Sequence, residues 1–244
     1  MKKILIVETK LHLREWPAML FTIGLPLGLL LILGSMPGFS KADPALGGES
    51  VNDTHMPAMM TMLAMMTLAF SVLPGFLASY REQGILRRMS TTPVGPARVL
   101  GAQLVVSWVT GIITTTLIIV LGRLVLGTAV PKQFLGFVLM FLLGSAALLA
   151  MGLVLSALVP NGKTASGVGS LVMFPLMFVG GMWIPRESMP DVMRIIGDYS
   201  VAGPFAQTMR DTWAGNAPQL THVLVVSVAL LVFGGLAVRL FRWE

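Results

Sequence analysis

Apolar residues in this chain neither alternate nor recur every third or fourth position; they run unbroken. Six stretches, 18–36, 57–79, 99–122, 133–159, 165–184 and 219–238, are each close to 20 residues or longer. A helix rising 1.5 Å per residue needs about 20 apolar residues to cross a hydrocarbon layer about 30 Å thick. Within those limits there is no Lys, Arg, Asp or Glu, and His222 is the single imidazole. A transmembrane barrel would show short alternating segments instead. The pattern therefore predicts an all-α polytopic membrane protein with six transmembrane helices, one membrane domain over residues 1–244.

Polar positions collect between the runs, and their charges orient them. Eleven basic residues fall in the N-terminal segment, the second loop, the fourth loop and the C-terminal segment, and six in the alternate set. Basic residues accumulate on the cytoplasmic side of short loops, so both termini are expected in the cytoplasm of a multi-pass cell-membrane protein. Residues 3–16 read as a short interfacial helix, with Ile4, Val7 and Leu11 on one side, Lys3, Lys10 and Arg14 elsewhere, and Trp16 at headgroup depth. Glu8, Lys10, Arg14 and Glu15 interrupt the first apolar run, which argues against a cleaved signal. The longest outer segment, 185–218, is divided by Pro185, Pro190, Gly197 and Pro204; with Trp183 and Trp213 as interface anchors it reads as a membrane-dipping cap.

Composition sharpens the class. Hydrophobic residues make up 55% of the 244 and charged residues 11%, with a mean hydropathy of +0.82. Soluble domains carry roughly 25% charged residues, so a soluble enzyme is excluded. The net charge of +6 does not indicate nucleic acid, because the bases flank spans on one side. There is no cysteine, hence no disulfide, thiolate metal site or cysteine nucleophile.

The uncharged spans exclude more. Ion-coupled carriers place carboxylates inside the membrane, channels need polar rings, and hydrolases need a nucleophile beside a base. None of these sets is present, so uphill transport would draw its energy from a partner. The run Ala157 to Thr164, with Gly162 and Lys163, imitates a phosphate loop. It lies between two spans, without the strand and acidic segment such a loop needs, and reads as a tight turn. Six methionines crowd the second span between Met56 and Met66. Thioethers bind soft metals and also fill apolar contact surfaces; helix packing, a greasy substrate surface and metal transport are the three readings, with Met59, Met62, Met66 and Phe70 the candidate substrate path.

The loop 80–98 carries the strongest signal. Ile85, Leu86 and Met89 form one apolar face of a short helix ringed by Arg81, Arg87 and Arg88, with Glu82 held among arginines. Thr92-Pro93 supplies a stop and restart. The series Arg81-Glu82-x-Gly84-x-Leu86 followed by Thr92-Pro93 resembles the permease subunits of type-2 ATP-binding-cassette exporters. So does the run from Phe174 through Gly180-Gly181 to Pro185, followed by Met189-Pro190 and Pro204. With six spans, the interfacial helix and both termini inside, the resemblance covers essentially the whole chain, nearest to drug and antibiotic-resistance permeases. Ile85 replaces a frequent threonine and Gln103 a frequent lysine.

The resemblance implies that 80–89 is a coupling helix seated in a separate cytosolic ATPase. Arg81, Glu82, Gly84, Ile85, Leu86, Met89, Thr92 and Pro93 would make the ATPase contact, and Gly180, Gly181, Pro185, Pro190 and Pro204 an outer re-entrant hinge before the last span. It implies two ATPase copies carrying ATP and magnesium, a second permease copy or paralogue, lipid around the spans, no cofactor on this chain and no enzymatic activity of its own. The cargo would be a hydrophobic or amphiphilic drug, antibiotic or lipid. A non-transporting membrane scaffold or immunity protein is the alternative, ahead of an autonomous channel or carrier.

Overall fold

The computed structural model describes residues 2–41, 48, 50–90, 96–183, 186 and 189–240. These form helices and no strand, and six of the helices are long and apolar enough to cross a membrane. They are α2 (Trp16–Gly34), α3 (Val51–Glu82), α5 (Ala97–Leu126), α6 (Phe134–Leu158), α7 (Gly162–Val179) and α10 (Leu220–Leu240). Four shorter helices complete the order: α1 (Lys2–Arg14), α4 (Ile85–Ser90), α8 (Asp191–Tyr199) and α9 (Ala202–Ala214). Helix α1 and the short α4 lie together where α3 ends, at the terminal face of the bundle.

Span boundaries move where local chemistry outweighs hydropathy. The second span begins at Val51, not at 57, because Ser50 caps it: its hydroxyl oxygen accepts the Asp53 N–H at 3.2 Å and its O–H donates to Asp53 Oδ2 at 2.6 Å. Pro57 falls inside the second turn of the helix. The fifth span stops at Val179, not at 184, because Gly181 enters the left-handed region at φ +83°. The expected tight turn before it is present: Asn161 accepts the Thr164 N–H at 2.9 Å and caps α7.

Helix α3 is the centre of the bundle. In its most apolar window 83% of residues are buried, against 11% in α10, which lies along α6 at the edge. Leu68–Val72 forms a π-helical segment inside α3. There the chain meets two neighbours backbone to backbone: a Cβ on Gly152 of α6 would stand 2.0 Å from the Ala69 carbonyl oxygen, and one on Gly169 of α7 would stand 1.6 Å from that of Phe70. Only glycine permits that approach.

The 185–218 segment enters the bundle rather than covering it. Helix α9 inserts between α3 and α6. Trp213, expected at the interface, is instead fully buried; its Nε1–H donates to the Ala129 carbonyl at 3.0 Å, and its ring meets Phe137 edge-on at 4.9 Å. A tryptophan that finds a partner for its N–H is as stable in a core as at a headgroup. Helix α8 stays outside, with Ile195 and Ile196 exposed.

Candidate functional site at the terminal face

Arg81 and Glu82 close α3, and each reaches a different helix end. The Arg81 guanidinium donates to the carbonyls of Ser156, Ala157 (3.4 Å) and Val159 (3.3 Å), where α6 ends. Glu82 accepts the Gly162 N–H at 3.4 Å, where α7 begins. A helix C-terminus presents partial negative charge and an N-terminus partial positive charge. The adjacent Arg and Glu thus straddle the turn between the fourth and fifth spans with matched signs. Among the described residues the expected ion pair between Glu82 and an arginine is not seen; the start of α7 partners Glu82, and the carbonyls ending α6 partner Arg81.

Gly84 then reverses the chain. It sits at φ +67°, and its N–H donates to the Arg81 carbonyl at 2.9 Å. Helix α4 follows at once. Ile85 and Met89, one turn apart, pack against the core of the bundle, while Arg87 and Arg88 are exposed. The Leu86 side chain, Thr92 and Pro93 lie outside the described residues.

Helix α1 docks beside this junction through a face that carries polar residues. Ile4, Glu8 and His12 point inward, whereas Val7 and Leu11 are 54% and 40% exposed. Tyr80 donates its hydroxyl to Glu8 Oε2 at 2.7 Å, and the His12 ring stacks on Phe76 with centroids 5.5 Å apart. Burial pushes the Glu8 carboxyl up from its ordinary value, against the opposing hydrogen bond from Tyr80, and burial holds the His12 imidazole down. Neither His12 nitrogen has a hydrogen-bond partner. The sequence reading missed Glu8, His12 and Tyr80 as a unit. The signal was the spacing of positions 4, 8 and 12, a full helical face with two polar members.

Between α1, α2, α3 and the start of α7 a cleft of about 600 Å³ opens, lined by Glu15, Phe21, Phe76, Tyr80, Gln83 and Ser166 among others. The methionine path lies elsewhere: Met62, Met66 and Phe70 are sealed in the core, and Met59 packs against it half-buried. Within this chain these side chains fill the interior of α3 and its neighbours.

On the opposite face Gly180 caps α7 in close contact with Met62 and Ala202, Gly181 makes the turn, Pro190 opens α8, and Pro204 is buried in the first turn of α9. Pro185 lies outside the described residues. Arg186 forms a two-point pair with Asp198, to which Gln207 of α9 also donates at 3.0 Å. The Arg186 hydrogen bond holds the Asp198 carboxyl below the usual carboxylate range.

Residues 42–239 match the sequence profile described as ABC-2 family transporter protein. The chain is 24% identical to the putative transport permease YvfS of Bacillus subtilis (strain 168), over 96% of this chain and 93% of that one. It is 28% identical to the daunorubicin resistance ABC transporter permease protein DrrB1 of Streptomyces coeruleorubidus, over 94% of this chain and 81% of that one. With six apolar helices and a match over most of its length, the chain belongs to the ABC-2 transporter family and is a multi-pass membrane permease.

Proposed function

We propose that this permease is the membrane-spanning subunit of an ATP-driven exporter and moves a hydrophobic or amphiphilic substrate, a drug, antibiotic or lipid, out of the cell. The terminal face lies in the cytoplasm, in keeping with the eleven basic residues of its segments. A separate cytosolic ATPase, in two copies, carries the ATP and magnesium, and a second permease completes the path. The daunorubicin resistance for which the Streptomyces relative is named supports a drug-like cargo.

One observation supports the coupling role: α4 follows directly on an end of α3 that is itself joined to two further spans. Gly84 ties it to the end of α3, Ile85 and Met89 press it on the bundle, and Arg81 and Glu82 join that same end to α6 and α7. A force on the exposed Arg87–Arg88 side of α4 is therefore delivered to the second, fourth and fifth spans together. The ATPase meets that basic side, while Arg81 and Glu82 transmit from within.

The test is a tagged pull-down from mild detergent, with ATPase assay of what co-purifies. The wild-type chain retains a cytosolic ATPase. Glu82→Lys, which puts a positive charge against the α7 N-terminus, still inserts and still retains that ATPase but loses export. Export at the wild-type rate by the variant removes the transmitting role of Glu82. A stable complex containing no ATPase overturns the exporter reading and favours a scaffold.

A further inference from the structure

The cleft at the terminal face has a volume of about 600 Å³, and the charge of its described lining is one-sided. Among the described residues that line it, Glu15 is the only acidic side chain and there is no Lys, Arg or His. Glu15 sits at the break between α1 and α2, exposed, and no described base pairs with it. The bases nearest in sequence are turned away or outside the lining. Arg81 is committed to the carbonyls ending α6, and Arg14 and Lys163 do not reach the cleft.

Aromatic rings line the same cleft. Phe76 and Tyr80 meet edge to face with centroids 6.3 Å apart. Each is fixed from behind by α1: His12 stacks on Phe76, and Glu8 takes the Tyr80 hydroxyl proton as a hydrogen bond. Phe21 adds a third ring from α2. A cavity of this volume falls in the range that holds small organic ligands. A carboxylate for a positive charge, with ring faces beside it, is the chemistry that selects an organic cation over an anion or a neutral lipid.

We propose that this cleft is a binding site for amphiphilic organic cations, with Glu15 as counter-charge and Phe76 and Tyr80 as the stacking wall. This deepens the exporter reading and rests on it, since it names the class of cargo taken up beside α4. Tyr80 precedes Arg81, so an occupant leaning on that ring presses on the residues that join α3 to α6 and α7.

The experiment uses the full chain in nanodiscs of uncharged phosphatidylcholine, with equilibrium dialysis corrected for empty discs. Tetraphenylphosphonium and tetraphenylborate serve as probes, alike in shape and opposite in charge. Tetraphenylphosphonium is expected to bind saturably, one per chain, and tetraphenylborate not at all above the empty discs. Glu15→Gln weakens the cation about tenfold, and Glu15→Asp leaves it within about threefold. Phe76→Ala weakens it about fivefold. Because Glu15 is exposed and unpaired, its variants test the site even where Phe76→Ala fails to fold. Wild-type affinity in Glu15→Gln, equal binding of tetraphenylborate, or no saturable binding would each overturn the site. Binding needs no ATPase. A chain that binds the cation yet retains no ATPase keeps the cleft and loses the exporter reading; one that retains the ATPase without binding loses the cleft alone.

Discussion

Arg81 and Glu82 stand next to each other yet reach unrelated partners, backbone groups at the ends of two different helices. Backbone carbonyls and an amide at helix ends answer their charges. That is why motif reading found the residues but not their roles: carbonyls at 156–159 have no signature in sequence. His12 poses a second residue-scale question, being buried with both nitrogens unpartnered. Its imidazole is held below the ordinary value near 6.5. Such a group contributes its full stability above pH 6.5 and loses it as pH falls through the lowered folded value. Glu8, held up by burial, works in the opposite direction, giving stability at low pH that is lost as pH rises through its raised value. The two are separated with His12→Phe, which keeps a ring against Phe76 and cannot titrate. Hydrogen exchange over residues 2–14 should show wild type losing protection relative to the variant as pH drops from 7 to 5.5. Identical pH dependence in both proteins would mean that His12 does not titrate with docking.

Among the elements, the six spans were legible because unbroken apolar length is a strong signal, and five of them shift by four residues or fewer at their starts. The exceptions have causes in single residues: the Ser50 cap lengthens the second span, and the turn at Gly181 shortens the fifth. The face of α1 was not legible. Spacing grouped Ile4, Val7 and Leu11 on one side of an interfacial helix; Val7 and Leu11 are exposed, as an apolar side beside lipid can be, and Ile4 faces the protein with the polar Glu8 and His12. Trp213 misled for the same reason, since an interface tryptophan and a core tryptophan look alike until the Ala129 carbonyl is seen. At this scale the tightest contact is Gly169 against Phe70. Gly169→Ala must push two backbones apart, and overpacking of that kind costs about 1–3 kcal/mol. Thermal unfolding in detergent should show a lower midpoint for Gly169→Ala and little change for Gly167→Ala, whose added methyl meets open space. Equal midpoints would mean that the α3–α7 approach is looser than described.

At the scale of the whole molecule, the ordering of faces matters more than any one contact. Helix α3 is enclosed, α10 lies at the rim, and the terminal face gathers α1, α4, the cleft and the turn between α6 and α7. No sequence pattern announces that gathering, because it joins residues 8, 15, 80, 82 and 162 through the packing of four helices. Charge placement across the molecule gives the prediction that belongs here. Reversing both Arg87 and Arg88 to Glu leaves the bundle-facing Ile85 and Met89 untouched, so the permease should insert and melt as wild type. ATPase retention in the pull-down should fall at least tenfold, with the loss deepening at low salt as screening weakens. Undiminished retention would move the ATPase contact off α4.

The π segment of α3 has a meaning that reaches beyond local packing. One extra residue in a helix turns everything after it by about 100° relative to what precedes it. The half of α3 bearing Met62 and Met66 and the half bearing Phe76, Tyr80 and Arg81 are therefore set in angular phase by Leu68–Val72. Drawing that segment into regular α-helix with every residue kept would delete no volume and remove no side chain. It would instead act as a phase error, carrying Tyr80 off Glu8 and Arg81 off the end of α6, whereas deleting one residue along with the π turn would leave the two halves close to their present phase.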